Sequence, residues 1–276
     1  MSRALSSQKI FPLILIYAML IIIVSVYLFP FIWMILSSIK SDTEQYAIPP
    51  VWLPLHPTLN NYRSLPFREL LNSLIIALTS TGIAMLLGSM AGYGFARYRF
   101  PLRSFILFLI LMIRVIPHIS ILIPIFLLMK SLNLLNTILA VIMVHLALQL
   151  PLCVWMMRSF FVELPRDLED AAKVDGCSSL GALIRVVLPV CTSGLAATAI
   201  IIFLTSWNEF LFALVLTYTE VAKTMPVAIA ENVTAFVIHW GPMTAASVIY
   251  TIPVMIFTIF VQKHIVRGLT LGAIKG

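Results

Sequence analysis

The sequence predicts an all-α, polytopic membrane protein with six transmembrane helices, and three observations carry that prediction. The first is composition: the 276 residues are 61% hydrophobic and 11% charged, with a mean hydropathy of +1.04. Soluble domains are about 45–50% apolar and about 25% charged, so a water-soluble enzyme is excluded, and a disordered chain would be far more polar. The second is length: apolar stretches recur at about 10–36, 70–96, 102–129, 134–157, 190–218 and 243–262, each reaching the roughly 20 residues a spanning helix needs. The third is charge sorting: twelve Lys and Arg residues fall on one side of these stretches, five on the other, and Arg114 within one. Lys and Arg concentrate on the cytoplasmic side, so both termini are placed in the cytoplasm, as six spans require.

The first stretch follows Arg3 and Lys9. A cleavable signal peptide has an apolar region of about 7–15 residues and a small-residue cleavage site. This stretch is longer, and Pro30-Phe31-Ile32-Trp33 is no such site, so it reads as a retained span. Residues 41–66 then hold Pro49, Pro50, Pro54 and Pro57. Proline removes donors and blocks helix, which predicts an irregular extracytoplasmic segment, with a second at 220–242.

The second span places Ser80, Ala84, Gly88, Gly92 and Ala96 on one stripe. Small residues at that spacing let another helix approach closely, either from within this chain or from another subunit. The third carries Arg114, Pro117, His118 and Pro124. A charge there faces a cavity or partner, or snorkels, and prolines that break a helix often mark a substrate path. The fifth contains Ser206-Trp207-Asn208-Glu209-Phe210. Asn208 and Glu209 suit hydroxyl groups and Trp207 offers a ring face, although the same residues could simply bond between helices. After the sixth span, Gly268, Gly272 and Gly276 disfavour a regular helix, and Leu269, Leu271 and Ile274 suggest a tail buried against a partner or folded back on its own subunit.

No alternating pattern of a β-barrel appears. The three cysteines, Cys153, Cys177 and Cys191, are too few for a disulfide scaffold. His, Cys, Asp and Glu nowhere cluster at metal-ligand spacing, and no catalytic constellation is found. The G-x-x-x-x-G-K-[ST] phosphate loop is absent, so the chain does not bind ATP in that fashion. The net charge of +7 sorts by side of the membrane instead of forming one basic run, which argues against nucleic acid.

The cytoplasmic loop 158–189 is the most informative part. Pro165 lies near the start of a short helix, where proline is tolerated. Asp167, Glu169 and Asp170 suit its positive N-terminal end, and Gly176 is placed as its C′ stop. Ser178 can cap a second helix over roughly 179–188, ending at Pro189. A helix–Gly–helix with a small Ala171-Ala172 face suits docking in another protein, or merely joins two spans.

Asp170-Ala171-Ala172, Gly176 and Val186-Val187-Leu188-Pro189 match the spacing of E-A-A-x3-G-x9-I-x-L-P, and the segment resembles the EAA loop of ABC-importer permeases. Asp170 stands for Glu and Val186 for Ile. Asn60-Asn61-Tyr62, Ala91–Phe100, Leu134-Leu135-Asn136-Thr137, Trp207-Asn208-Glu209-Phe210 and the tail Val266–Gly276 are similar to the smaller six-span permease of maltose-type sugar importers. The resemblance covers nearly the whole chain.

It implies one ABC-importer transmembrane domain over 1–276, in the cytoplasmic (inner) membrane, translocating a di- or oligosaccharide by alternating access. It implies three kinds of company besides lipid: a second permease, two copies of a cytoplasmic ABC ATPase that carry ATP and Mg, and an extracytoplasmic sugar-binding protein. The chain itself would then hold no cofactor and catalyse nothing. Asp170, Ala171, Ala172, Asp175, Gly176, Leu188 and Pro189 would meet the ATPase. Trp207, Asn208, Glu209 and Arg114 are the candidates for the substrate path. A glycerol-phosphate importer is the nearest alternative, but an anion would want several cations on the path and only Arg114 qualifies. A secondary transporter would need coupling carboxylates, and Glu209 alone is plausible.

Overall fold

The computed structural model describes residues 7–272, with side chains from 12 to 259. The chain groups into two compact units, one of residues 1–65 and 229–249, the other of 66–228 and 250–276. Helices dominate both. We label the main ones α1 (Ser7–Ser38), α2 (Phe67–Arg97), α3 (Arg103–Met112), α4 (His118–Ser131), α5 (Ile138–Glu163), α6 (Asp167–Val174), α7 (Thr192–Trp207), α8 (Leu211–Leu216) and α9 (Trp240–Gly272).

Four stretches are each long and apolar enough to cross a membrane: Pro12–Ser38, Phe67–Arg97, Ile138–Glu163 and Trp240–Ile259. Two bent pairs raise the number to six if each counts as one span. The expected third span is one of them, turning by 95° between Arg103–Val115 and His118–Ser131. Pro117 is the cause: it lacks an N–H and forces its predecessor into an extended conformation, and Ile116 has ψ 124°. The fifth also departs from a single 190–218 helix. Ser179–Val190 meets α7 at 85°, and α7 ends at Trp207 before α8 begins at Leu211. Its 16 residues reach about 24 Å, short of the roughly 30 Å apolar layer.

In the first unit α1 is apolar all round, and its side chains from Leu13 to Phe29 are exposed within the chain, as a lipid-facing helix requires. The proline-rich 41–66 segment is held by Glu44. Its carboxylate accepts N–H bonds from Ser41 (3.1 Å), Leu55 (2.8 Å) and His56 (2.9 Å). Burial alone would raise the Glu44 carboxyl, but these amide donors outweigh it and hold it below the usual carboxylate range. Burial lowers the Lys40 ammonium, partly offset by Glu44; Lys40 donates to the Val51 carbonyl and lies 4.2 Å from the centre of the Trp33 ring. The 220–242 segment is more ordered than expected, with a helix at Met225–Ala230 and a bridge between Val233 and Ile238.

The second unit is built on α2 and α5. Ser80, Ala84, Gly88, Gly92 and Ala96 are all buried, and this chain's own helices cover them. A Cβ on Gly88 would lie 2.4 Å from Cys153 Sγ; one on Gly92 would lie 2.9 Å from the Arg158 backbone nitrogen. The small-residue stripe is therefore internal packing. Thr137 caps α5 by accepting the Ala140 N–H at 3.2 Å. Asn136, at φ +59°, accepts from the Tyr218 and Thr219 amides at 3.0 Å each and donates to Thr219 Oγ1 at 2.7 Å.

At its end α9 continues through Gly268 to Gly272, against the expectation of an irregular tail. Each glycine costs about 1 kcal/mol in a helix, but extending an existing helix adds one bond per residue fixed. Residues 273–276 lie outside the described residues, so the expected burial of Ile274 does too.

Candidate functional site

The loop between α5 and α7 folds as its local signals dictate. Asp167, Glu169 and Asp170 fill the first turn of α6, where acids complement the helix dipole. Gly176 has φ +89°. The Gly176 N–H bonds to the Lys173 carbonyl at 3.0 Å and the Cys177 N–H to the Ala172 carbonyl at 2.9 Å, the paired closure of a Schellman motif. Ser178 then caps the next turn, accepting from Gly181 N–H at 3.1 Å. That second helix does not stop at residue 188. It widens into a π-turn at Leu183–Val187 and runs on to Val190. Pro189 cannot donate, and its ring would crowd the carbonyl four residues back, so the preceding turn opens.

The candidate docking residues split by face. Asp170, Ala171, Asp175, Gly176 and Pro189 are exposed, Leu188 is half-buried, and Ala172 is buried. Leu168 and Val174 add exposed apolar surface, Val174 at 87%. Lys173 and Asp170 pair at 3.5 Å on the open side.

On the inner face lies a residue the sequence reading treated only as a first-turn acid. Glu169 is ion-paired with Arg97 Nε, and Tyr93 Oη donates to its other oxygen at 2.8 Å. Arg97 Nη2 also donates to the Leu164 carbonyl at 3.2 Å. The signal available in sequence was spacing: Glu169 lies three residues before Ala172, on the same helix face.

The path candidates are placed differently from one another. Trp207 is 1% exposed, its ring stacked near Phe203 (5.6 Å) and Tyr250 (4.8 Å), and Tyr250 Oη donates to its backbone carbonyl. Asn208 is exposed at the end of α7, its amide donating to the Leu204 carbonyl at 2.9 Å. Glu209 closes the break: it accepts the Phe212 N–H at 2.8 Å and the Ala213 N–H at 3.1 Å, and meets His145 Nε2 at 3.1 Å. His145 Nδ1 lies 2.7 Å from Ser206 Oγ, which lies 2.9 Å from Ser80 Oγ. His145 is thus one link of a buried polar chain through α2, α5 and α7. Arg114 is exposed beside the α3–α4 bend and donates to the Leu148 carbonyl at 3.2 Å. Among the described residues it shares no hydrogen bond or ion pair with Trp207, Asn208 or Glu209.

The first unit holds a cavity of about 440 Å³, lined among others by Asp42, Tyr46, Asn60, His239 and Trp240. Tyr46 Oη donates to the Ile238 carbonyl at 2.6 Å, tying its two walls together. Among the described residues, no group of three or more His, Cys, Asp or Glu gathers to hold a metal ion.

The family model described as the binding-protein-dependent transport system inner membrane component matches residues 84–271. The chain is 39% identical over 255 residues to the sulfoquinovosyl glycerol transport system permease protein SmoH of Agrobacterium fabrum, covering 90% of this chain and 89% of that one. It is 39% identical over 258 residues to the trehalose/maltose transport system permease protein MalG of Thermococcus litoralis, covering 90% and 92%. Among solved structures, a chain of a bacterial ABC transporter involved in the import of the acidic polysaccharide alginate superposes with a TM-score of 0.78 at 21% identity, over 95% of this chain and 99% of that one.

Proposed function

The chain belongs to the family of binding-protein-dependent transport system inner membrane components, and on that premise we propose that it is the sugar-translocating permease of an ATP-driven importer. The observation that carries the proposal is the exposed α6 helix, closed at its C-terminus by the Schellman turn at Gly176. A short rigid helix that presents Asp170, Ala171 and Asp175 outward is a shape that fits a cleft on another protein.

In this reading α6 and the following turns, including Leu188 and Pro189, dock on one of two ATPase copies, which bind ATP and Mg. A second permease completes the path, and a solute-binding protein delivers the sugar from outside. Both termini are cytoplasmic, as the Lys and Arg bias requires. The chain itself performs no covalent chemistry; it contributes half a path and the lever that opens it. Relatives named for trehalose/maltose and for arabinooligosaccharide transport support a di- or oligosaccharide as cargo. Asn208 and Arg114, both exposed, are the path residues accessible in this conformation. Trp207 and Glu209 would join them only if the packing around the α7–α8 break rearranged during the cycle.

The test is reconstitution with its ATPase, partner permease and binding protein, followed by uptake of a panel of labelled disaccharides and oligosaccharides. ATP-dependent accumulation of one sugar is expected. Uptake driven by an ion gradient without ATP would overturn the reading.

A further inference from the structure

We propose that Glu169, Arg97 and Tyr93 form a clamp that makes α6 move as one body with α2, so that these three are positioning residues for energy transfer. The proposal rests on the reading of α6 as the docking element. Its own chain ties α6 to only two other elements, back through Leu164-Pro165-Arg166 to α5 and forward through 175–178 to the Ser179–Val190 segment. The clamp adds a third attachment, to a helix whose contributing arginine is 72 residues away in sequence.

The geometry suits a stiff joint. Both carboxylate oxygens of Glu169 are engaged, one by Arg97 Nε and the other by Tyr93 Oη. The Arg97 and Glu169 side chains are 8% and 4% exposed, so solvent screens the pair less than it would at the surface. Removing one partner of a buried ion pair strands the other charge, which makes slippage costly. Tyr93 and Arg97 stand one turn apart on the same face of α2. Arg97 also holds the Leu164 carbonyl at the end of α5, and Tyr93 packs edge-on against Phe161 of α5 at 6.0 Å. One arginine thus gathers α2, the end of α5 and α6. The adjacent acid, Asp170, is exposed and pairs only with Lys173 on the open side, where a partner can reach it. Neighbouring carboxylates divide the work: 169 grips inward and 170 faces outward.

The experiment uses the assembled transporter carrying Cys177→Ser and a reporter cysteine, Leu71→Cys, at the exposed far end of α2. Labelling by a membrane-impermeant maleimide is read with and without ATP and Mg, together with retention of the ATPase. In the parent, nucleotide is expected to change the labelling rate. Glu169→Ala should retain the ATPase yet shrink that change about five-fold or more, the scale of a lost coupling of ordinary size. Tyr93→Phe, which keeps the ion pair, should shrink it less, and the reversed pair Arg97→Glu with Glu169→Arg should recover most of it. A full response in Glu169→Ala overturns the clamp, as does a parent that retains the ATPase but shows no nucleotide response. Should Glu169→Ala fail to fold, Tyr93→Phe decides: a reduced response supports the clamp and an unchanged one overturns it. Failure of the docking reading looks different, because the ATPase would then be missing from the parent complex.

Discussion

At Gly88 and Gly92 the α2 helix meets α5 with no side chain of its own in between, whereas around Asn208 the chain comes apart and polar side chains close the gap. At the first place, Gly88 and Gly92 leave room for Cys153 and for the backbone at Val154 and Arg158. At the second, Glu209 accepts two amides of α8 and meets His145. Small residues make a joint that is close and featureless, held by dispersion over many atoms. A buried carboxylate makes a joint that depends on a few directed bonds. The first kind fails when something is added, and the second when something is removed.

The largest effect is expected from addition. Gly92→Leu would press a side chain on backbone atoms that cannot move aside, at a cost of about 3 kcal/mol. Thermal unfolding in detergent should show a clear drop in Tm, and an unchanged Tm would mean that α2 and α5 are not in this contact. Removal comes next. Glu209→Ala strands two amides and a buried imidazole, at about 2 kcal/mol. Hydrogen exchange should rise over residues 207–216 and stay low along α2, which separates the two kinds of joint. Gly176→Val lies outside both joints and sharpens the contrast. A β-branched residue at φ +89° costs about 1–2 kcal/mol, and nothing lies within 4 Å of the added Cβ. Membrane insertion should persist and Tm fall by only a few degrees while ATPase co-purification and transport are lost; normal values of both would remove Gly176 from the docking surface.

The smallest effect is one of pH, in the first unit. Glu44 has a lowered folded pKa, so its contribution is fully present above the ordinary value of 4.5 and fades as pH falls through the lower folded value. Proteolytic resistance of residues 41–57 should hold from neutral pH down to 4.5 and decline in the acid range beneath it. Glu44→Gln should lower the resistance at neutral pH and flatten that dependence.

What could be read in advance follows the range of the interactions. Six apolar stretches were legible because a span needs only a sufficient run of apolar residues. The caps of α6 at Gly176 and of the next turn at Ser178 were legible because each bond closes within a few residues. The stripe from Ser80 to Ala96 announced a close contact, but not that α5 would supply it. Pro117 marked where the third span would break, yet a proline sets no particular angle, so the 95° of the turn was not legible. Glu209 was legible as an acid in an apolar run. Its partner His145 is 64 residues away, and its engagement with α8 amides depends on a break that hydropathy does not show. Glu169 was masked by its neighbours: in a row of first-turn acids, nothing local distinguishes the one that turns inward. Glu44 was hidden likewise, its amide partners lying in the very segment whose prolines suggested disorder of form.

The glycine contacts of α2 carry a mechanical consequence. Two rods in which Gly88 packs on the Cys153 side chain and Gly92 on the backbone at Val154 and Arg158 have little compliant layer between them, and packed interfaces switch between discrete arrangements instead of deforming smoothly. The pair behaves as a keel. Any reshaping of the second unit is displaced to where the chain is already interrupted, at Ile116–Pro117 and Asn208–Phe210, so that the stiffest part of the molecule dictates which parts are free to swing.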